Sequence, residues 1–438
     1  MKRFGHSWIA LLWLAAVFAL TLPSGAYSVL THEQVVDLLW EDRIQPLLKK
    51  HFPDLTEKQL REAHAYAYGG SLVQDMGYYP FGSRYFSDLT HYVRTGDFVS
   101  SLIQEAHTAN EYAFALGALA HYAADNSGHP MVNHVVAVEF PSLQRKFGDI
   151  VTYADSPKAH IRAEFGFDMT QVAKNRYTSD RYHDFVGFEI SQSLLERVFP
   201  KVYGIKFDDI VDDEDLAIGS FRHAVSKIIP EMTRVALLTR KKEIIADTPN
   251  AAEKKYLYYL SRTDYEREWG SEYRRPGFGT KVLAILLKLF PKKGPFSGLN
   301  FKIPPQQAED LFIKSIDDTV ESYRRLLAES ERGNLHLANK DCDTGKDTQE
   351  GEYSLSDLTY AHLLNDLADN DFKTVPPDLR EDVLAFYRNP DAPSASRRKA
   401  REWKRVQDEL RRLKTASVTN TANGALTSTD SGNIGNRQ

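Results

Sequence analysis

A single cysteine, Cys342, in 438 residues rules out any internal disulfide and any zinc site closed by several thiolates. A metal centre in this chain must therefore draw on His, Asp and Glu, the ligand set typical of catalytic rather than structural zinc. The sequence also lacks a Gly-rich phosphate loop and a G-x-S-x-G turn, so it offers neither a nucleotide cradle nor an exposed serine nucleophile. Basic residues are not in excess. The 55 Lys and Arg against 60 Asp and Glu give a net charge of −5, and no stable nucleic-acid partner is expected. Beyond the first twenty residues no apolar run is long enough to span a bilayer, and sustained strand-type alternation is missing as well.

What is present is helical periodicity. Apolar residues recur at helical spacing over 29–51, 56–68, 98–126, 210–239, 305–331 and 357–368, predicting an all-α fold. The stretch 69–95 is rich in Gly, Tyr and Phe and reads as a structured loop region, a common home for site residues. Residues 1–28 read as a signal peptide. Lys2 and Arg3 precede an apolar run from Trp8 to Leu20, and small residues then permit cleavage after Ala26 or after Ser28. The chain is thus expected to be secreted or periplasmic. Residues 29–240 form one helical domain in this reading, and 250–390 an additional helical region. A basic helix follows over 397–414, then a disordered Ser/Thr/Asn/Gly-rich tail over 415–438. The apolar segment 280–290 reads as a core helix, with membrane-surface contact as its alternative.

The chain carries 14 histidines, and several stand in patterned surroundings. In His121-Tyr-Ala-Ala-Asp125-Asn-Ser-Gly-His129-Pro130 an imidazole and a carboxylate lie four residues apart. At about 3.6 residues per turn that spacing places both on one face of a helix. Apolar neighbours such as Leu116 and Leu119 imply burial, and buried ionisable groups are costly unless paired or metal-bound. His160-Ile-Arg-Ala-Glu164 repeats the spacing, a pattern shared by surface ion pairs and ligand pairs. His32 follows closely on either cleavage point, so a free α-amine could join it at a metal. Asp75 and His91 would not be nominated alone; one reads equally as a turn residue, the other as a packed histidine.

Together these residues resemble the zinc-dependent phospholipase C family and its relatives, the S1/P1-type single-strand nucleases. The resemblance covers roughly residues 27–240 and rests on their order: a His after the signal peptide, an isolated Asp, then His, His-x3-Asp and His-x3-Glu. It implies a helical bundle of the phospholipase C / P1 nuclease type holding up to three zinc ions. Asp75, His91, His121 and Asp125 would hold one. His32, a shared Asp125 and the mature N-terminal amine would hold a second. His160, Glu164 and a histidine after Asp125 would hold the third. Two departures stand out. The family's last histidine lies six residues after the Asp, where this chain has Met131 and offers His129 or His134 instead. His129 keeps the single stripe and resembles a variant in the glycosylphosphatidylinositol-specific phospholipase D branch, with Pro130 closing the helix. The new N-terminus would be Tyr27 or Val29, where the well-studied enzymes begin with Trp several residues further ahead of the His.

The resemblance implies a secreted zinc-dependent phosphodiesterase in which metal-activated water cleaves phosphate esters, most directly phospholipids. Asp75 is the candidate to orient or deprotonate that water. The alternatives are an S1/P1-like nuclease or nucleotidase, and a non-catalytic metal-stabilised lipid-binding protein. Tyr78, Tyr79, Phe81, Tyr85 and Phe86 crowd between Asp75 and His91, where they would either contact substrate or pack the loop.

Overall fold

The computed structural model describes residues 28–174, 187–230 and 301–416, with a few positions between 232 and 246. The expected signal segment up to residue 27, the apolar helix over 280–290 and the tail from 417 lie outside the described residues. Among the described residues every regular element is helical, and the one β pairing is an isolated bridge between Lys340 and Asp347.

Helix α1 (Val29–Leu39) passes through a π-helical turn, Trp40–Ile44, into α2 (Gln45–His51). Helix α3 (Glu57–Leu72) starts at a capping box in which the Thr56 and Gln59 side chains satisfy each other's backbone amides. A 3-10 segment, Val73–Tyr78, then leads to α4 (Arg84–Tyr92) and α5 (Thr95–Gln104). The 31-residue α6 (Ala109–Glu139) is the axis of the molecule, buried on all sides from Glu111 to Asp125. Helices α7 (Pro141–Phe147) and α8 (Pro157–Ala173) pack on it, whereas α9 (Gln192–Tyr203) packs on α5 and α10 (Glu214–His223) on the 3-10 segment. Helices α11 (Gln306–Glu331), α12 (Ser354–Asp369), α13 (Pro377–Phe386) and α14 (Ala400–Thr415) complete the set. One continuous apolar core joins residues from Val29 to Leu413, with α3 and α11 flanking α6.

Three expectations are corrected. The helix expected over 98–126 is two, because Thr108 adopts an extended conformation and caps a new helix through the Glu111 amide. The loop expected over 69–95 is largely helical. Its glycines serve close packing rather than chain reversal: a Cβ on Gly70 would sit 1.9 Å from the Phe114 carbonyl oxygen, and one on Gly117 2.1 Å from that of Ala67. Helices α3 and α6 therefore touch backbone to backbone. Finally, Pro130 does not close α6, which continues to Glu139. Proline removes a helical hydrogen bond, but buried Val132, Val135 and Val136 hold the following turns in the core. Gly345, at φ +68°, packs against the Asn126 carbonyl beside the proline ring, where only a glycine leaves room.

Candidate metal centre

The helical framework delivers eight titratable side chains to one end of the bundle. His32 comes from the first turn of α1, Asp75 from the 3-10 segment and His91 from the last turn of α4. His121, Asp125 and His129 form one stripe on α6, and His160 and Glu164 lie a turn apart on α8. The start of α1 is fixed by Asp168, which accepts from the Leu30 amide at 3.1 Å and the Thr31 hydroxyl at 2.6 Å. All eight are buried, none more than 3% exposed. His134, the alternative to His129, is exposed.

Four of these residues converge on one point. His91 Nε2 lies 3.5 Å from Asp75 Oδ1, 3.4 Å from Asp125 Oδ2 and 3.3 Å from His121 Nε2. His121 Nε2 is 3.0 Å from Asp125 Oδ2. Ligands about 2.0–2.1 Å from a tetrahedral zinc ion stand about 3.3 Å from one another, close to these separations. The other oxygen of Asp125, Oδ1, faces His32 Nε2 at 3.7 Å, and the His32 ring stacks on His121 at 4.5 Å. Asp75, His91 and His121 form one group of potential metal-ligating atoms, and His32, His121 and Asp125 form another. Further along, His160 Nδ1 is 3.6 Å from Glu164 Oε1, and the His129 and His160 rings are 6.1 Å apart.

The backbone fixes which nitrogens face inward. His91 Nδ1 donates to the Ser87 carbonyl at 2.7 Å, and His121 Nδ1 to the Ser71 carbonyl at 2.9 Å. On His160 the roles reverse, with Nε2 donating to the Val151 carbonyl at 2.6 Å. Carbonyls only accept, so each bonded nitrogen carries a hydrogen, and in the neutral form that can bind a metal the other nitrogen turns a lone pair toward the carboxylates. Lone pair then opposes lone pair. Both Asp125 oxygens, Asp75 Oδ1, His160 Nδ1 and Glu164 Oε1 are buried without hydrogen-bond partners. A cation between these atoms relieves the conflict, so the donor set fits zinc.

The electrostatics carry the same tension. Burial opposes charge on His91, but the Asp125 and Asp75 carboxylates outweigh it and hold the imidazole well above its ordinary range. Burial likewise opposes the Asp125 carboxylate, yet His121 and His91 keep it well below. Glu164, with burial dominant, lies well above the usual carboxylate range, while burial lowers His160 to about 4.

One participant escaped the sequence reading. Asp343, from the loop after α11, brings Oδ1 to 3.1 Å from His129 Nδ1. Burial opposes charge on His129, but Asp343 outweighs it and raises that imidazole to about 9. Nothing in the spacing of Asp341-Cys342-Asp343 announces this, because the contact joins residues 214 positions apart. Of the aromatic run, Tyr78, Tyr79 and Phe86 are buried packing residues and Tyr85 stacks on His362, whereas Phe81 is 52% exposed.

No helix among the described residues is long and apolar enough to cross a membrane. Neither a curated protein nor a solved structure matches the chain significantly. The model of the family described as zinc dependent phospholipase C matches residues 31–205, a span that contains all eight buried groups and stops short of Asp343. Residues 31–205 are thus similar to the zinc-dependent phospholipase C family, and that match supports a zinc-dependent hydrolase.

Proposed function

We propose that the protein is an exported phosphodiesterase of phospholipase C type, cleaving the glycerol–phosphate bond of phospholipids. The observation that carries this reading is the placement of Asp125, whose two oxygens face different imidazoles among buried side chains, His32 on one side and His91 with His121 on the other. A carboxylate so placed suits a bridge between two cations, the arrangement used for phosphate-ester hydrolysis.

Asp75, His91, His121 and Asp125 would hold one zinc ion. His32, Asp125 and the mature N-terminal amine of Tyr27 or Val29 would hold a second, although both cleavage points adjoin residues outside the described part of the chain. His129, His160 and Glu164 would hold a third, and exposed His134 is left out. Zinc supplies Lewis acidity toward the phosphoryl oxygens and lowers the pKa of water toward neutrality. The chain supplies the rest. Carbonyls of Ser71, Ser87 and Val151 fix the imidazole orientations, so the ligands need no rearrangement. Burial raises the proton affinity of Asp75, consistent with a carboxylate that orients the attacking water and takes its proton. Exposed Phe81, in the short segment between Asp75 and α4, is available for contact with acyl chains or the membrane surface.

The net charge of −5 favours a lipid over a polyanionic nucleic acid. The test is a substrate panel with the zinc-loaded full chain. Release of diacylglycerol from phosphatidylcholine vesicles, with no cleavage of single-stranded DNA, supports the reading. The reverse result assigns the same scaffold to nuclease chemistry.

A further inference from the structure

The loop 338–353 lies outside the segment matched to the family, yet it is built into the wall of the metal centre. Its Cys342 amide donates to the His91 carbonyl at 3.0 Å, so it begins against one ligand. The Asp343 carbonyl accepts from Asn133 at 2.9 Å, one turn beyond His129 on α6. Tyr353 accepts from the Ala154 amide at 3.0 Å, near Val151, whose carbonyl orients His160. Within the loop the Asp341 carboxylate receives the amides of Asp343 and Thr344 at 2.9 and 3.0 Å and the Ser356 hydroxyl at 2.7 Å, which rigidifies the turn.

At the tip of that turn Asp343 is 2% exposed, with its two oxygens divided between two tasks. Oδ2 accepts from the hydroxyls of Tyr92 at 2.9 Å and Tyr353 at 2.5 Å, which lock the carboxylate in place. Oδ1 is left to His129 Nδ1 at 3.1 Å. His91, His121 and His160 are each oriented by a backbone carbonyl. For His129, the residue just before Pro130 on α6, the group facing Nδ1 is instead a carboxylate, in an ion-pair contact.

We propose that Asp343 is a positioning residue of the metal centre: it holds the Nδ1 hydrogen of His129 and so turns His129 Nε2 toward the zinc ion shared with His160 and Glu164. A carboxylate behind a ligating imidazole fixes its tautomer and increases its basicity, and its loss costs about 10–100-fold in metal affinity. The catalytic unit then extends beyond residues 31–205, because the loop after α11 supplies part of the centre. This inference rests on the assignment of a third ion made above.

The test uses metal binding by the full chain. Chelator-stripped protein is titrated with Zn²⁺ against a chromophoric competitor, and with Co²⁺ while the visible spectrum is recorded. The His129→Ala variant identifies the binding class that depends on His129. In Asp343→Asn, which keeps the shape but removes the charge, that class is expected to weaken by about 10-fold or more with altered Co²⁺ bands, and the other classes to stay unchanged. Tyr353→Phe, which removes one support of the carboxylate, should weaken the same class by less. Wild-type affinity in Asp343→Asn, or equal weakening of every class, would overturn the proposal. If wild-type protein has no class that His129→Ala abolishes, the third ion itself is wrong and the role of Asp343 falls with it.

Discussion

Replacing Gly70 by alanine tests how the packing of two helices sets the metal centre. The added Cβ would stand 1.9 Å from the Phe114 carbonyl oxygen and 3.0 Å from the Ala118 amide nitrogen. At least 1.1 Å of separation must open before the first contact even reaches 3.0 Å, and the obstacle is backbone, which cannot rotate aside. Alanine gains about 1 kcal/mol of helix propensity, but overpacking costs about 3 kcal/mol at the upper end of its usual range, which fits an immovable backbone obstacle, so net destabilisation of up to about 2 kcal/mol is expected. The consequence reaches the site because Ser71, the next residue, orients His121, and His121 is one turn beyond Gly117 on the opposing helix. Metal–ligand distances tolerate only about ±0.2 Å, so transmission of a fifth of the shift already exceeds that tolerance. Thermal unfolding and zinc content per chain, measured together, should both fall in Gly70→Ala. Gly219→Ala is the control. That helical glycine is exposed and a Cβ there meets nothing within 4 Å, so the same chemical change should stabilise by about 0.5–1 kcal/mol. A Gly70→Ala protein with wild-type melting temperature and zinc content would refute the argument that backbone contact between α3 and α6 sets the centre.

Two further outcomes follow from single side chains. His129→Ala should lose one class of bound zinc by mass spectrometric metal analysis, whereas His134→Ala, altering an exposed residue, should retain the full complement. Glu139 provides a pH test away from the metal: both of its oxygens are buried without partners, and burial raises its pKa to about 8. Between the ordinary glutamate value and pH 8 the folded state keeps a proton that the unfolded chain has released, so Glu139 lowers stability as pH rises through that window. Glu139→Gln should therefore melt close to wild type at pH 5 and at least ~2 °C higher at pH 8.5, as followed by calorimetry. Equal melting temperatures at pH 8.5 would exclude a strained carboxylate there.

The sequence carried local rules well. Helical spacing foretold that His121 and Asp125, and likewise His160 and Glu164, would share a face, and the missing cysteines directed attention to His and carboxylate ligands. It failed where tertiary contact overrides local preference. Gly69 and Gly70 look like a loop signal, yet lie inside α3 because a neighbouring backbone fills the space a side chain would occupy. Thr108 reads as an unremarkable polar residue in a helical pattern until its hydroxyl is seen capping the Glu111 amide. Pro130 looks like a terminus, but the valines after it are held by the core. Asp343 was invisible for a simpler reason: no periodicity relates residue 343 to residue 129.

Anomalous X-ray scattering at the zinc edge, recorded from crystals of the zinc-loaded full chain, tests the bridging role of Asp125 most directly. The expected result is one peak enclosed by Asp75, His91, His121 and Asp125 Oδ2 and a second beside His32 and Asp125 Oδ1, each about 2.0–2.2 Å from its ligand atoms. Both Asp125 oxygens on a single ion, or no peak within that distance of Asp125, would contradict the account.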